Sequence, residues 1–408
     1  MLAVRAGASA RRLSCPPVRP RHSLAVLLVA ITGLAGCSLG DDEGTPPQLG
    51  PGPGSDDEKA VEKLGFPSTA TKNTIRVSGG DPAADAAGVA SAVFPGTSDS
   101  TRPTAVVLVD KNDWQAGVTA SALMANPIGA PLLVSDGDEL PEVSSDTLKR
   151  LDPKGSDLSR DAQVIRIGDE VARPDGYKTA IIEGKDPYER AAAIDRFFSA
   201  AKGKPSADVV VASGEDAEFA MPAAAWSAHS GDSVLLTRKD ELPEETRKAL
   251  TEHEKPNIYV LGPTAVISQK VEDELKKLGK VQRIEGKTAV ENAIEFARFD
   301  DGDFGWGIEV PGYNFTVANT SRPLDAAASA ALATKGVFAP LLLTDTDDAL
   351  PKPLELYFLS VQPGFEDDPG QAVYNRVWIL GDETQLSVEA QARLDQVTEL
   401  IPVQANAP

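Results

Sequence analysis

The side chains of this 408-residue chain that could do chemistry are carboxylates, arginines and a few aromatics, set at recurring intervals. Asp138, Asp240 and Asp348 each stand two residues before the leucine of a Leu-Pro pair. They read as turn or cap residues at strand-to-helix junctions, where aspartate bonds the backbone. The functional alternative is a set of three symmetry-related carboxylates. The pairs Asp136/Asp138 and Asp345/Asp347 suggest calcium, but the matching loop holds Arg238-Lys239, so the pattern does not need a metal. Ser78-Gly79-Gly80-Asp81 follows a strand and opens a helix, a place for phosphate. No G-x-G-x-x-G or G-x-x-x-x-G-K-[ST] accompanies it, so it reads as a tight turn. Arg76 and Arg283 occupy matching places; they could hold anionic polymer or tie to a neighbouring carboxylate. Phe304, Trp306 and Tyr313 lie in a Gly-rich stretch and could stack on sugars or fold back onto the core. No serine sits in G-x-S-x-G. A carboxylate pair for glycoside hydrolysis is defined by separation in space and is not legible among 61 acids. No catalytic residue is assigned, and an enzyme is not expected.

One cysteine has a specific setting. Residues 24–34 (LAVLLVAITGL) form an apolar run of signal-peptide length, preceded by arginines and too short to span a bilayer. The run ends in Leu34-Ala35-Gly36-Cys37, which resembles the bacterial lipobox. That resemblance implies cleavage before Cys37, a diacylglycerol on its thiol, and acylation of the new amine by palmitate or a similar chain. Residues 1–36 are thus expected to be a lipoprotein signal peptide. Residues 37–60 are expected to be the lipidated cysteine and a flexible Gly/Pro/acidic tether. About twenty such residues reach roughly 25 Å.

Charge and composition exclude several classes. Residues 1–36 hold five arginines and no acid, so the remainder carries 35 of the 40 bases against all 61 acids, a net charge of −26. Such a surface repels phosphate backbones, so nucleic acid is not an expected partner. With Cys15 removed, Cys37 is the last cysteine, which rules out an intrachain disulfide. His229 and His253 are too few for a histidine-based zinc site. No metal and no cofactor are expected.

The elements that position these residues come from an internal repeat. Three stretches align on their Leu-Pro pairs: 105–141, 208–243 and 316–351. Upstream stand IRVSGG (75–80), AIIEGK (180–185) and RIEGKT (283–288); downstream stand VIRIGDE (164–170), IYVLGPT (258–264) and VWILGDE (377–383). Each landmark is a β-rich run ending at glycine. The Ala-rich stretches 116–125, 220–228 and 325–333 favour helix. Pro141, Pro243 and Pro351 suit a helix first turn. Each copy reads β-α-β-α-β-α-β, which implies a parallel sheet covered on both faces. The copies are 73–176, 177–280 and 281–402. A helix follows Gly262 and Gly381 but not Gly168, and copy three carries insertions at 299–314 and 361–375. Copy one is therefore expected to leave a sheet face that another copy covers.

The pattern resembles the cell wall-binding repeat type 2 family over about residues 73–402. The matching residues are Arg76-Val77-Ser78-Gly79, Arg283-Ile284-Glu285-Gly286, Ala130-Pro131-Leu132-Leu133, Ala339-Pro340-Leu341-Leu342-Leu343-Thr344, Leu324-Asp325-Ala326-Ala327, Ile258-Tyr259-Val260-Leu261-Gly262 and Val377-Trp378-Ile379-Leu380-Gly381. The family's Arg-Tyr-x-Thr-Ala is absent, and its final Gly-Gly is Gly-Asp, Gly-Pro and Gly-Asp here. The resemblance implies an α/β fold of three Rossmann-like parallel-sheet repeats packed with pseudo-threefold symmetry. It also implies non-catalytic attachment to cell-wall polymer. The ligand-binding candidates are Arg76, Arg283, Asp325, Trp306 and Tyr313. The expectation is a lipid-anchored scaffold on the extracytoplasmic face of a bacterial cell membrane, with wall polymer or an envelope protein as partner. The alternative is the solute-binding receptor lipoprotein of a transporter, which would show two hinged lobes. An envelope hydrolase ranks third.

Overall fold

Parallel strands place the molecule's crevices, so the sheets come first. The computed structural model describes residues 68–403 apart from Ser78 and residues 335–338. Three four-stranded parallel sheets are built to one plan. The first has the order β4 (Leu132–Ser135), β3 (Val106–Asp110), β5 (Val164–Ile167), β6 (Thr179–Ile182). The second has β8 (Ser233–Thr237), β7 (Asp208–Ser213), β9 (Asn257–Leu261), β10 (Lys280–Ile284). The third has β12 (Leu341–Thr344), β11 (Asn314–Asn319), β14 (Arg376–Leu380), β2 (Thr74–Val77), and β1 (Ser68–Ala70) antiparallel at its edge; the short β13 (Gly364–Phe365) pairs with β15 (Ile401–Pro402). The inner strands β3, β7 and β11 are buried almost throughout, as strands covered on both faces must be.

The fourth strand of every sheet opens the next copy of the sequence repeat. β6 and β10 are the next strands in the chain after β5 and β9. The third sheet receives β2 from the start of the chain, with Thr74 opposite Val377 and Val77 opposite Leu380. The repeat thereby closes on itself. Three helices cross from one sheet to the next: α1 (Pro82–Val93) leaves β2 and packs on β4, α4 (Pro187–Lys202) leaves β6 and packs on β8, and α9 (Ala289–Arg298) leaves β10 and packs on β12. Their starts are fixed locally by the caps Asp81, Asp186 and Thr288, the last in a capping box with Glu291.

The Ala-rich stretches become the central helices α2 (Trp114–Ala120), α6 (Pro222–Ser230) and α10 (Leu324–Ser329), which pack on one another between the sheets; α5 (Ala217–Ala220) precedes α6. Small residues permit that approach. A Cβ on Gly117 would lie 2.6 Å from Leu324 Cδ1 and 3.0 Å from Ala327 Cβ. The Leu-Pro pairs cap α3 (Glu142–Leu151), α7 (Glu244–Glu252) and α11 (Lys352–Ser360), each with its proline at the N-cap. Buried Ser144 and Thr246 donate to the Val134 and Leu236 carbonyls at equivalent points of the first two copies. Gly79, Gly184 and Gly286 recur at strand ends, where a Cβ would lie 2.5, 2.4 and 2.2 Å from the backbone nitrogens of Asp85, Arg190 and Asn292. Two hinged lobes are not what the sheets form.

α8 (Gln269–Leu275) and α12 (Val388–Val397) cover the outer strands of the second and third sheets. No helix follows Gly168, as the sequence predicts. The bare face is not covered by another copy, contrary to expectation. Ile181, which stands where Arg76 and Arg283 stand, remains 40% exposed. Arg166, opposite it in register, donates to the Asp169 and Val171 carbonyls and folds that loop back, burying Val171 and Ala172.

Copy two contains one buried ion pair. His253 Nε2 lies 3.0 Å from Asp195 Oδ1, and its Nδ1 lies 2.8 Å from the Ser206 carbonyl. Burial disfavours the imidazolium, but the hydrogen bond and charge of Asp195 outweigh it and hold the His253 pKa above its ordinary value. A raised pKa contributes stability that is complete below about pH 6.5 and is lost as pH rises through the folded value. Imidazole titration by NMR should place His253 above a free histidine in the native protein and bring it down in Asp195→Asn. An unmoved midpoint would remove Asp195 as the cause.

Candidate functional site

In open parallel sheets, ligands bind beyond the carboxyl ends of the strands, where the strand order reverses. Here those points lie between β3 and β5, β7 and β9, and β11 and β14. Two chain positions face each other at every one. The first, three residues past the end of the inner strand, holds Asp113, Asp216 or Arg322. The second, six residues past the landmark glycine, holds Arg190, Asn292 or Asp85. In the first sheet Arg190 pairs with Asp113 at 2.7 Å. In the third the charges are exchanged, and Arg322 pairs with Asp85. In the second the pair is neutralised: Asn292 Oδ1 accepts from Gly286 N, and Asp216 turns to Ser213.

The third-sheet cluster is the most strongly perturbed. Asp85 and Asp325 are fully buried, with Arg322 between them. Asp85 also accepts from Gly79 N at 2.7 Å. Arg322 Nε lies 2.9 Å from Asp325 Oδ2, close enough for ion pairing but poorly aligned for a hydrogen bond. Burial raises both carboxyls, Asp85 to about 8 with help from the Asp325 charge and Asp325 to about 7; Arg322 opposes the shift in each. One arginine faces two desolvated carboxylates.

The crevices themselves differ. In the third sheet Gln385 lies at the reversal point, its main-chain carbonyl accepting from Asn319 Nδ2 at 2.9 Å and its side-chain Oε1 from Ser321 Oγ at 3.1 Å. In the first, where the helix is missing, a crevice of about 480 Å³ stays open, lined by Asp110, Asp113, Asp136, Asp169, Glu170 and Arg190. Asp136 is bonded to Lys111 at 2.6 Å, and Asp110 accepts from Gly137 N. Its surplus of acceptors suits hydroxyl and amine donors. A second groove, of about 600 Å³, runs between α9 and α11, with Ile294 and Leu356 on its walls and Lys287, Glu291 and Arg298 at its rim. Among the described residues no group of three or more His, Cys, Asp or Glu side chains is placed to hold a metal ion.

The sequence candidates are not brought together. Arg76 is 2% exposed and bonded to Gln391 and three carbonyls. Arg283 is held by Glu272 at 2.7–2.8 Å and by the Gly262 carbonyl; with Lys276 it draws Glu272, despite that group's partial burial, down to about 2. Asp325 is paired to Arg322. Trp306 is buried edge-on against Trp226 at 5.2 Å, and Phe304 stacks on Tyr259 at 3.5 Å. The insertion therefore folds back onto the second sheet. Tyr313 is half-buried against the same core. Asp138, Asp240 and Asp348 are exposed turn residues. Cys37 lies outside the described residues. Sequence reading missed the exchanged pairs Asp113/Arg190 and Arg322/Asp85. The recurring offsets from strand end and glycine were the available signal.

Three α/β units built to one plan, the third completed by β2, make up the described residues. Residues 181–272, from β6 to α8, match the family model of cell wall binding domain 2 (CWB2). The chain is 26% identical over 203 residues to the amidase enhancer of Bacillus subtilis (strain 168), spanning 49% of this chain and 27% of that protein. Its fold is similar to Cwp8 from Clostridium difficile, with a TM-score of 0.62 and 20% identity over 84% of this chain and 54% of that one. Cwp6 from the same organism gives 0.60 and 18% over 84% and 51%. The chain thus spans about a quarter of the curated relative and about half of each solved structure. The chain resembles the cell wall-binding repeat type 2 family, and the matched domain supports association with the cell wall and the cell envelope. No helix among the described residues is long and apolar enough to cross a membrane.

Proposed function

We propose that this protein is a non-catalytic envelope lipoprotein that holds cell-wall polymer near the membrane through its three-repeat ring, with Cys37 as its anchor. The observation that carries the reading is the wall-binding domain match within a closed ring of three like units. The open crevice over the first sheet and the groove between α9 and α11 are its proposed contact surfaces. A net charge of −26 beyond residue 36 disfavours strongly anionic polymer. The acceptor-rich crevice favours hydroxyl- or amine-bearing parts of the wall instead. An envelope protein in place of polymer fits the same geometry.

The anchor is tested by fractionation. Wild-type protein should pellet with membranes and take up a metabolic lipid label. Cys37→Ala should lose the label and appear in the soluble fraction. Unchanged membrane retention without the label would remove the lipid anchor from this reading. The transporter-receptor alternative predicts two lobes that close on a small solute. A thermal shift with small solutes, absent with wall polymer, would favour it.

A further inference from the structure

The third sheet is completed by a strand from the far end of the chain. Arg76 of β2 meets Gln391 of α12 across 315 positions of sequence. Specific contacts are made by Thr71, Lys72, Asn73, Thr74 and Arg76 of the incoming segment. Arg76 Nε donates to Gln391 Oε1 at 2.9 Å, Nη1 to the Gly381 and Asp382 carbonyls at 3.1 and 2.9 Å, and Nη2 to the Leu386 carbonyl at 2.7 Å. Gln391 Nε2 donates back to Thr74 Oγ1 at 2.9 Å. Asp395 accepts from Asn73 N at 2.7 Å and from Thr71 Oγ1 at 2.5 Å, and Glu399 pairs with Lys72 at 2.5 Å. Gln391 and Asp395, one turn apart on α12, and Glu399 just beyond its end together contact residues 71–76.

We propose that the edge formed by β14 and α12 is a binding site for an extended, arginine-bearing peptide, which residues 68–77 occupy in cis as a detachable plug. The recognition is strand addition: β14 supplies main-chain hydrogen bonds, and a side-chain pocket supplies specificity. The pocket presents four acceptors to a buried guanidinium, whose planar fork meets all of them; an ammonium has three donors and no fork. The plug is short, four residues of β2 and three of β1. It is held largely by polar contacts, and only Val77 of its apolar side chains is fully buried. Segments with few buried apolar contacts open at the low end of local stability. The ligand that fits in trans is the same strand pair from a second copy of this chain.

The test uses full-length protein and a fluorescent peptide of residues 66–79. In the Arg76→Leu chain the resident plug lacks its guanidinium while the pocket is intact. That chain should bind the wild-type peptide saturably, at least about tenfold more tightly than the wild-type chain does. A peptide carrying Arg76→Lys or Arg76→Leu should bind about tenfold or more weakly. Should Arg76→Leu fail to fold, Lys72→Glu in the chain loosens the plug at Glu399 without altering the β14–α12 edge or the peptide, and carries the same expectation. Hydrogen exchange of the wild-type chain should show Thr74–Val77 opening together and faster than β3 and β7. No peptide binding to a folded loosened chain at about 100 µM would overturn the proposal, as would equal binding of all three peptides. Exchange of β2 at the rate of β3 and β7 would overturn it too.

Discussion

A chain truncated after Lys280 is expected to be molten or aggregation-prone, although it retains two complete copies of the sequence repeat. It loses β11, β12 and β14, so β2 has no sheet to join, and it loses α10, against which Gly117 packs. Bare apolar surface costs roughly 25 cal/mol per Å². Several hundred Å² uncovered along β2, α1 and α2 amounts to on the order of 10 kcal/mol, comparable to the stability of a whole domain. Residues 59–408 should instead unfold in one concerted step. Thermal melting by circular dichroism distinguishes the two: a broad, shallow transition for the truncated chain and a sharp one for the longer. If both melt equally sharply and stay soluble, the copies are independent beads and the ring does not couple them.

Replacing Arg322 by leucine should cost about 3–5 kcal/mol, because it leaves Asp85 and Asp325 buried without a cation. The loss should depend on pH with a definite sign. Burial raises both carboxyls, to about 8 and about 7. A raised carboxyl contributes stability that is complete below about pH 4, its unfolded value, and is lost as pH rises through the folded value. The wild type should therefore lose stability from this cluster between about pH 4 and 8. Without Arg322 to oppose the shift, the loss should steepen, making the variant worse at pH 8 than at pH 5. Adding Asp325→Asn to Arg322→Leu should recover part of the deficit at pH 8. Urea unfolding at the two pH values measures this, and a penalty independent of pH would show that the carboxyls do not carry it.

Much of the architecture was legible because local chemistry repeats. The Leu-Pro pairs mark three helix starts, the landmark glycines mark three close approaches to a helix, and the Ala-rich stretches give the central helices. The fate of Trp306 was readable only as a choice between sugar and core, and packing on Trp226 decides it. Ring closure was not legible. TIRV at 74–77 reads like any first strand, and nothing local tells it to pair some three hundred residues away. The same limit hid the roles of the arginines. Arg76 and Arg283 share a position, yet one is held by a glutamine and carbonyls and the other by Glu272. Asp325 carried a family motif, but its partner Asp85 comes from the opposite end of the chain, so their common arginine emerges only in space.

The central claim is that the ring itself, without its lipid, binds the cell wall and leaves it intact. The direct measurement is co-sedimentation of soluble residues 59–408 with purified walls, prepared with and without their anionic polymer, at low and at moderate salt. The account predicts saturable pelleting with both preparations and no release of soluble wall fragments. It also predicts tighter binding to the stripped walls at low salt, with the difference shrinking as salt screens the repulsion of residues 59–408, whose net charge is −20. Protein that remains in the supernatant with both preparations at all salt concentrations, or that liberates wall fragments, would contradict it.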